Sequence, residues 1–219
     1  MAVEWKLNNN DKQWLQAHGL YCFDTLMSAD IGEVVDSSER GEVRRLTIDG
    51  RELFLKRIFV IRKTKSLEVL LQGFWPNSEA VNEYNQIQWL ASDGFSVVHA
   101  LCAAQFRKGL FPRQGCILTD KVDGVEFDYF ARQYPQRMDA VMEKFVVLVR
   151  QLHAAGFYSL LRPKDIFIHP DNLNLTMIDR ETRIARKERY NKNKSEKAWI
   201  KIKHRSQLSG FKIDEKYSL

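Results

Sequence analysis

Three features of this sequence carry side chains in arrangements that could do chemistry. Lys56 lies in the run Leu53-Phe54-Leu55-Lys56-Arg57, where alternation along a strand sets it on one face with Phe54 and Ile58. A lysine between two large apolar neighbours is either an edge-strand gatekeeper or a functional cation at the lip of a pocket. Asp165 and Asp179 flank two short β runs, Ile166-Phe167-Ile168 and Leu175-Thr176-Met177-Ile178, joined by His169-Pro170-Asp171-Asn172. An aspartate at a strand end is by itself a turn former or a helix cap, and its company decides whether it does more. The third feature is charge. From Arg180 to Leu219 there are 13 Lys and Arg against 5 Asp and Glu, a local balance of +8, so the rest of a chain of net charge +6 sums to −2. Such a basic segment is either a solvated helix face or a surface that meets phosphates of nucleic acid or lipid.

These residues need elements to position them. Val43–Ile48 and Leu53–Ile58 read as strands, and Asp49-Gly50 between them is the strongest short hairpin signal. A basic connector, Arg57 to Lys65, follows. Ser78 to Ala91 reads as a helix with Val81, Tyr84, Ile87 and Leu90 or Ala91 on one face, started at Pro76 and Ser78 and ended at Asp93-Gly94. Glu83 lies mid-helix. Phe95–Ala103 and Cys116–Val122 read as further strands. Met138, Val141, Phe145, Leu148 and Leu152 keep helical spacing, with Gly156 as the C-terminal stop.

Together these segments resemble a known family. Leu152-His153-Ala154-Ala155-Gly156 resembles the end of the long helix that leads into a kinase catalytic loop. Leu161-Arg162-Pro163-Lys164-Asp165-Ile166 resembles the D-L-K-P-x-N-I stretch after the catalytic aspartate, and Ile178-Asp179-Arg180-Glu181 resembles the metal-binding strand end. The Lys56 strand and the Glu83 helix complete the order. Across roughly residues 40 to 190 the chain is similar to the Kdo kinase, heptose kinase and InaA-like group of bacterial envelope proteins. The resemblance implies an α+β, bilobal protein-kinase-like fold, with a strand-rich N-lobe over 1–122 and a helical C-lobe over 123–219. It implies ATP and Mg²⁺ as cofactors. Lys56 would bind the α- and β-phosphates, Glu83 would hold Lys56 through an ion pair, and Asp120 to Val122 would be the hinge that meets adenine through backbone groups. Asp179 would ligate Mg²⁺, and Asp165 would stand where kinases place a second metal ligand.

Two positions depart from the kinase pattern. The phosphate-covering segment Asp36-Ser37-Ser38-Glu39-Arg40-Gly41 has one glycine rather than G-x-G-x-x-G. In the catalytic loop Tyr158, Ser159 and Leu160 occupy the H-R-D positions, so the carboxylate that orients the acceptor hydroxyl is missing. Asp165 is the remaining candidate base.

Three function classes follow. The first is a kinase that phosphorylates a sugar hydroxyl of the lipopolysaccharide inner core or a related envelope glycan, with lipopolysaccharide core or a lipid A precursor as partner. The second is a pseudokinase that binds nucleotide or a partner without transferring phosphate. The third, disfavoured by the lack of any recognised motif, is a nucleic-acid-binding protein, suggested by a pI near 9.2 and by Tyr190, Trp199 and Phe211 among the C-terminal lysines. No run approaches the ~20 apolar residues of a spanning helix, and Met1 to Asn10 has no apolar signal region. The expected location is cytoplasmic, peripheral to the inner membrane if the basic segment meets its anionic surface. Cys22, Cys102 and Cys116 have neither disulfide nor zinc spacing.

Overall fold

The computed structural model describes residues 2–28, 30–61, 63–158, 161–178, 188–208 and 213–214. They form two compact units, one of residues 2–92 and 98–121, the other of 93–97, 122–178 and the described residues from 188 onward.

The first unit runs β1 (Ala2–Leu7), α1 (Lys12–Ala17), α2 (Phe23–Met27), β2 (Glu33–Ser38), β3 (Gly41–Ile48), β4 (Arg51–Ile58), α3 (Lys63–Leu71), α4 (Glu79–Ser92), β5 (Ala100–Lys108) and β6 (Phe111–Asp120). Its strands make one antiparallel sheet in the order β1-β5-β6-β4-β3-β2. The β3–β4 turn has Asp49 at φ 50° and Gly50 at φ 77°, the two left-handed residues that a type I′ hairpin requires.

Alternation on β4 decides what lies on each face of the sheet. Leu53 and Leu55 join Leu15, Leu20, Phe23 and Leu26 of the α1–α2 region in a core with Leu101, Cys102, Cys116 and Leu118. Lys56 points the other way, to α4. Arg57, which the sequence places both at the end of this strand and at the head of a basic connector, is in the strand and buried on the Leu53 face. Its guanidinium donates to Glu42 Oε1 at 2.8 Å and to the Ser28 carbonyl at 2.5 Å. Helix α3 begins near the end of that connector, at Lys63.

Helix α4 buries Val81, Tyr84, Ile87 and Leu90 against β5 and β6, the face that helical spacing predicts. Ser78 Oγ accepts from the Val81 N–H at 3.2 Å and caps its start. The strand expected over Phe95–Ala103 starts later, at Ala100. Ser96 and Val97 pair with Met177 in the second unit, so their β-bonding capacity is used there.

The second unit holds β7 (Val125–Glu126), α5 (Phe127–Gln133), α6 (Met138–Ala154), β8 (Ile166–Ile168), β9 (Leu175–Met177) and α7 (Lys192–Leu208). The three strands form a small sheet, β7-β8-β9. Helix α6 buries Val141, Met142, Phe145, Val146, Val149 and Leu152. It ends as a Schellman motif: Phe157 N–H donates to the Leu152 carbonyl at 2.8 Å, and Gly156 takes φ 87°. A Cβ on Gly156 would lie 1.7 Å from the Glu188 carbonyl oxygen, so only glycine fits there.

The C-terminal segment is helical. In α7 Ser195, Ala198, Trp199, Ile202 and Ser206 are buried, while Lys192, Lys194, Lys197, Lys201 and Arg205 are exposed. Ser195 Oγ meets His153 Nδ1 of α6 at 2.8 Å, and burial pushes the His153 imidazole down to about 4, so it is neutral at pH 7. No helix among the described residues is long and apolar enough to cross a membrane. Of the three free thiols, Cys22 is exposed and Cys102 and Cys116 are buried.

Candidate functional site

The β4–α4 pairing brings Lys56 and Glu83 together. Lys56 Nζ donates to Glu83 Oε2 at 2.9 Å. The Glu83 side chain is 5% exposed and that of Lys56 28%. Burial makes the geometry rigid: an ionised carboxylate so far out of water requires a cation, and Lys56 supplies it. The Lys56 side chain stays partly accessible, so the pair fixes a cation at the edge of the surface.

A cavity of about 220 Å³ adjoins this lysine, lined by Ser37, Ser38, Arg40, Gly41, Lys56 and Glu79 among others. It sits where the sequence predicts a phosphate-covering turn. Arg40 Nη2 donates to Glu79 Oε1 across it at 3.2 Å. Neither Arg40 nor Glu79 stands out in the sequence as a site residue. The available signal was the spacing of Glu79 and Glu83, four residues apart and so on one helix face.

Asp120, at the end of β6, is held firmly. Arg51 Nε and Nη2 donate to its two carboxylate oxygens at 2.6 and 2.8 Å, and its N–H donates to the His99 carbonyl at 2.9 Å. The hydrogen bond to Asp120 holds the Arg51 guanidinium even more firmly in its charged form. Lys121 N–H donates to the Glu52 carbonyl at 3.0 Å. Of the three expected hinge residues only Val122 has an N–H without a backbone partner among the described residues.

In the second unit Asp165 is buried within the 3-10 turn Pro163–Asp165. Its Oδ2 accepts from Arg162 Nε at 2.7 Å and from the Arg162 N–H at 3.3 Å, while Ile178 N–H donates to its carbonyl at 2.8 Å. Tyr158, in the expected H-R-D segment, joins the start of the C-terminal segment: its hydroxyl accepts from the Asn191 N–H at 2.5 Å. Asp179, the expected Mg²⁺ ligand, and Ser159 and Leu160 lie outside the described residues. Among the described residues there is no group of three His, Cys, Asp or Glu side chains arranged to hold a metal.

Residues 27–213 match the family model described as the lipopolysaccharide kinase (Kdo/WaaP) family. The chain belongs to that family. A solved structure, WaaP in complex with acyl carrier protein, superposes with a TM-score of 0.63 at 18% identity, covering 91% of this chain and 78% of that one. At such identity the likeness speaks for the fold, which is therefore kinase-like: an antiparallel N-terminal sheet with one long helix, then a helical region. A MAP kinase from Leishmania major, LmaMPK10, matches with a TM-score of 0.41 at 16% identity, over 79% of this chain and 52% of that one. No curated protein matches the chain in sequence. Membership in a family of lipopolysaccharide kinases implies ATP use.

Proposed function

We propose that this chain is an ATP-dependent kinase that phosphorylates a sugar hydroxyl of the lipopolysaccharide inner core or a related envelope glycan. The observation that carries the reading is the Lys56–Glu83 pair, a buried carboxylate fixing a half-open cation beside a cavity, in a chain of this family. Phosphoryl transfer needs positioning and positive charge more than covalent help from the protein. In this reading Lys56 holds the α- and β-phosphates and Glu83 orients it. The Val122 N–H meets adenine, while Asp120 holds the hinge through Arg51. Asp179 and Asp165 are hard oxygen donors of the kind Mg²⁺ takes, and the metal would neutralise charge on the transferred phosphoryl group.

A second reading, nucleotide or partner binding without transfer, is favoured by one observation. Asp165, the candidate base, is buried and paired with the Arg162 guanidinium. A carboxylate stabilised as an anion in this way is a weak acceptor for the proton of an incoming hydroxyl.

Thermal shift with MgATP and an ATP-consumption assay on lipopolysaccharide core separate these readings. Wild-type protein is expected to be stabilised by MgATP and to consume ATP when the core is added. Lys56→Met is expected to keep its fold and lose both responses. Stabilisation without consumption would favour the non-transferring protein. Unchanged stabilisation in Lys56→Met would remove Lys56 from the site.

A further inference from the structure

We infer that Arg40 is a phosphate-contacting residue that exchanges its Glu79 carboxylate for the chain of a polyphosphate in the cavity at the β2–β3 turn. The physiological ligand, ATP, rests on the kinase reading above; the subsite itself does not.

The turn cannot cradle phosphate in the usual way with its backbone. Its one glycine, Gly41, is committed to packing, because a Cβ there would lie 2.1 Å from the Arg57 carbonyl oxygen. The Arg40 N–H is directed to Ser38 Oγ at 3.4 Å, and the Arg40 carbonyl accepts from the Phe59 N–H at 2.9 Å. Side-chain donors lining the cavity are therefore the ones to weigh. Three cationic residues line the cavity, Arg40, Lys56 and Arg57, and the Arg57 guanidinium is committed to Glu42 and the Ser28 carbonyl, which leaves Lys56 and Arg40. Each is held by an acid of α4, Glu83 and Glu79, one helical turn apart on the same face.

The two pairs differ in strength of commitment. Glu83 is 5% exposed and Glu79 19%, and the Arg40–Glu79 contact is longer, 3.2 Å against 2.9 Å, with the Arg40 side chain 37% exposed. The outer pair is thus the exchangeable one. Arg40 Nε is buried with no hydrogen-bond partner among the described residues. That is a donor held out of water without an acceptor, a costly state that a phosphate oxygen would relieve. Guanidinium is also the side chain best shaped for bidentate phosphate contact. At about 220 Å³ the cavity is smaller than pockets that enclose whole drug-sized ligands, roughly 300 Å³ and upward, and suits a phosphate chain.

The test is calorimetric titration of inorganic tripolyphosphate without metal, and of MgATP and AMP, into full-length wild type, Arg40→Ala, Arg40→Lys and Glu79→Gln. Arg40→Ala should weaken tripolyphosphate and ATP about tenfold, the loss of one charge-assisted contact, with AMP little changed. Arg40→Lys should fall between wild type and Arg40→Ala. Glu79→Gln, which removes the competitor for Arg40, should tighten tripolyphosphate. Opposite signs at the two positions are decisive, since a purely structural latch would be broken by either change and both would then act alike. Equal weakening in both variants, or no change in either, overturns the inference. Tripolyphosphate binding with the expected signs but no ATP binding would uphold the subsite and sink the kinase reading. ATP binding that ignores Arg40 would do the reverse. A wild type that binds neither overturns both.

Discussion

Lys56 and Arg57 are chain neighbours with opposite surroundings, and strand alternation is the whole cause. The Lys56 side chain stays partly accessible beside a cavity, while the Arg57 side chain is buried with Glu42 and the Ser28 carbonyl. Burial pushes the Arg57 guanidinium down from its usual range, the direction expected when a cation leaves water. Glu42 moves the other way: its hydrogen bond with Arg44, and then with Arg57, holds it below the usual carboxylate range. Truncating one member of a buried pair leaves the other uncompensated, so Arg57→Met should destabilise the protein by about 3 kcal/mol. Arg44, 2.6 Å from the same carboxylate, keeps the loss at the lower end of the usual span. A urea midpoint indistinguishable from wild type would mean that Glu42 and Arg44 need no further partner. In the sequence the lysine of this dipeptide was legible and the arginine was not. A lysine inside an apolar alternation is conspicuous, whereas Arg57 opens a run of cations that reads as solvated until Glu42 and Ser28 come into contact with it.

Elements built on local signals were legible in the same way. Asp49-Gly50 specified its hairpin, the apolar face of α4 specified its packing, and Gly156 marked the end of α6. What the sequence did not yield has non-local causes. Strand β1 pairs Ala2 with Arg107, and no signal local to either segment announces such a partner. Helix α7 hides its buried face, Ala198, Trp199 and Ile202, among so many lysines that its average polarity reads as solvated. Since Trp199 and Ile202 are core residues, deleting this helix would test folding rather than binding. Charge reversal on its open face is the cleaner probe. If that face meets anionic lipid, Lys197, Lys201 and Arg205 all changed to Glu should reduce binding to anionic vesicles. The reduction should be largest at low salt, because screening sets in over ~10 Å at 0.1 M. Vesicle binding equal to wild type at low salt would leave the face merely solvated.

Across the molecule as a whole, pH acts through the few groups that folding holds away from their usual range. His153 is neutral when folded, its imidazole pushed down to about 4 by burial beneath α7. Above its unfolded value of about 6.5 neither state binds the proton, and stability is full. As pH falls from there the unfolded chain takes up a proton that the folded chain refuses. Stability is therefore lost progressively down to about pH 4 and is level below that. The full loss from this one group is about 3 kcal/mol. Chemical denaturation of wild type and His153→Gln at pH 7 and pH 5 should show the variant losing less on acidification. A parallel loss in both would assign the pH response to other groups. The cysteines bear on a different matter. Cys22 is exposed, and its hydrogen bond with the Thr25 hydroxyl draws the thiol below its usual range, whereas burial pushes Cys116 up to about 12 and Cys102 higher still. Reaction with a maleimide follows the accessible thiolate. The unaltered chain thus comes with a single addressable sulfur, at the start of α2, where a dye can be attached without removing any other cysteine.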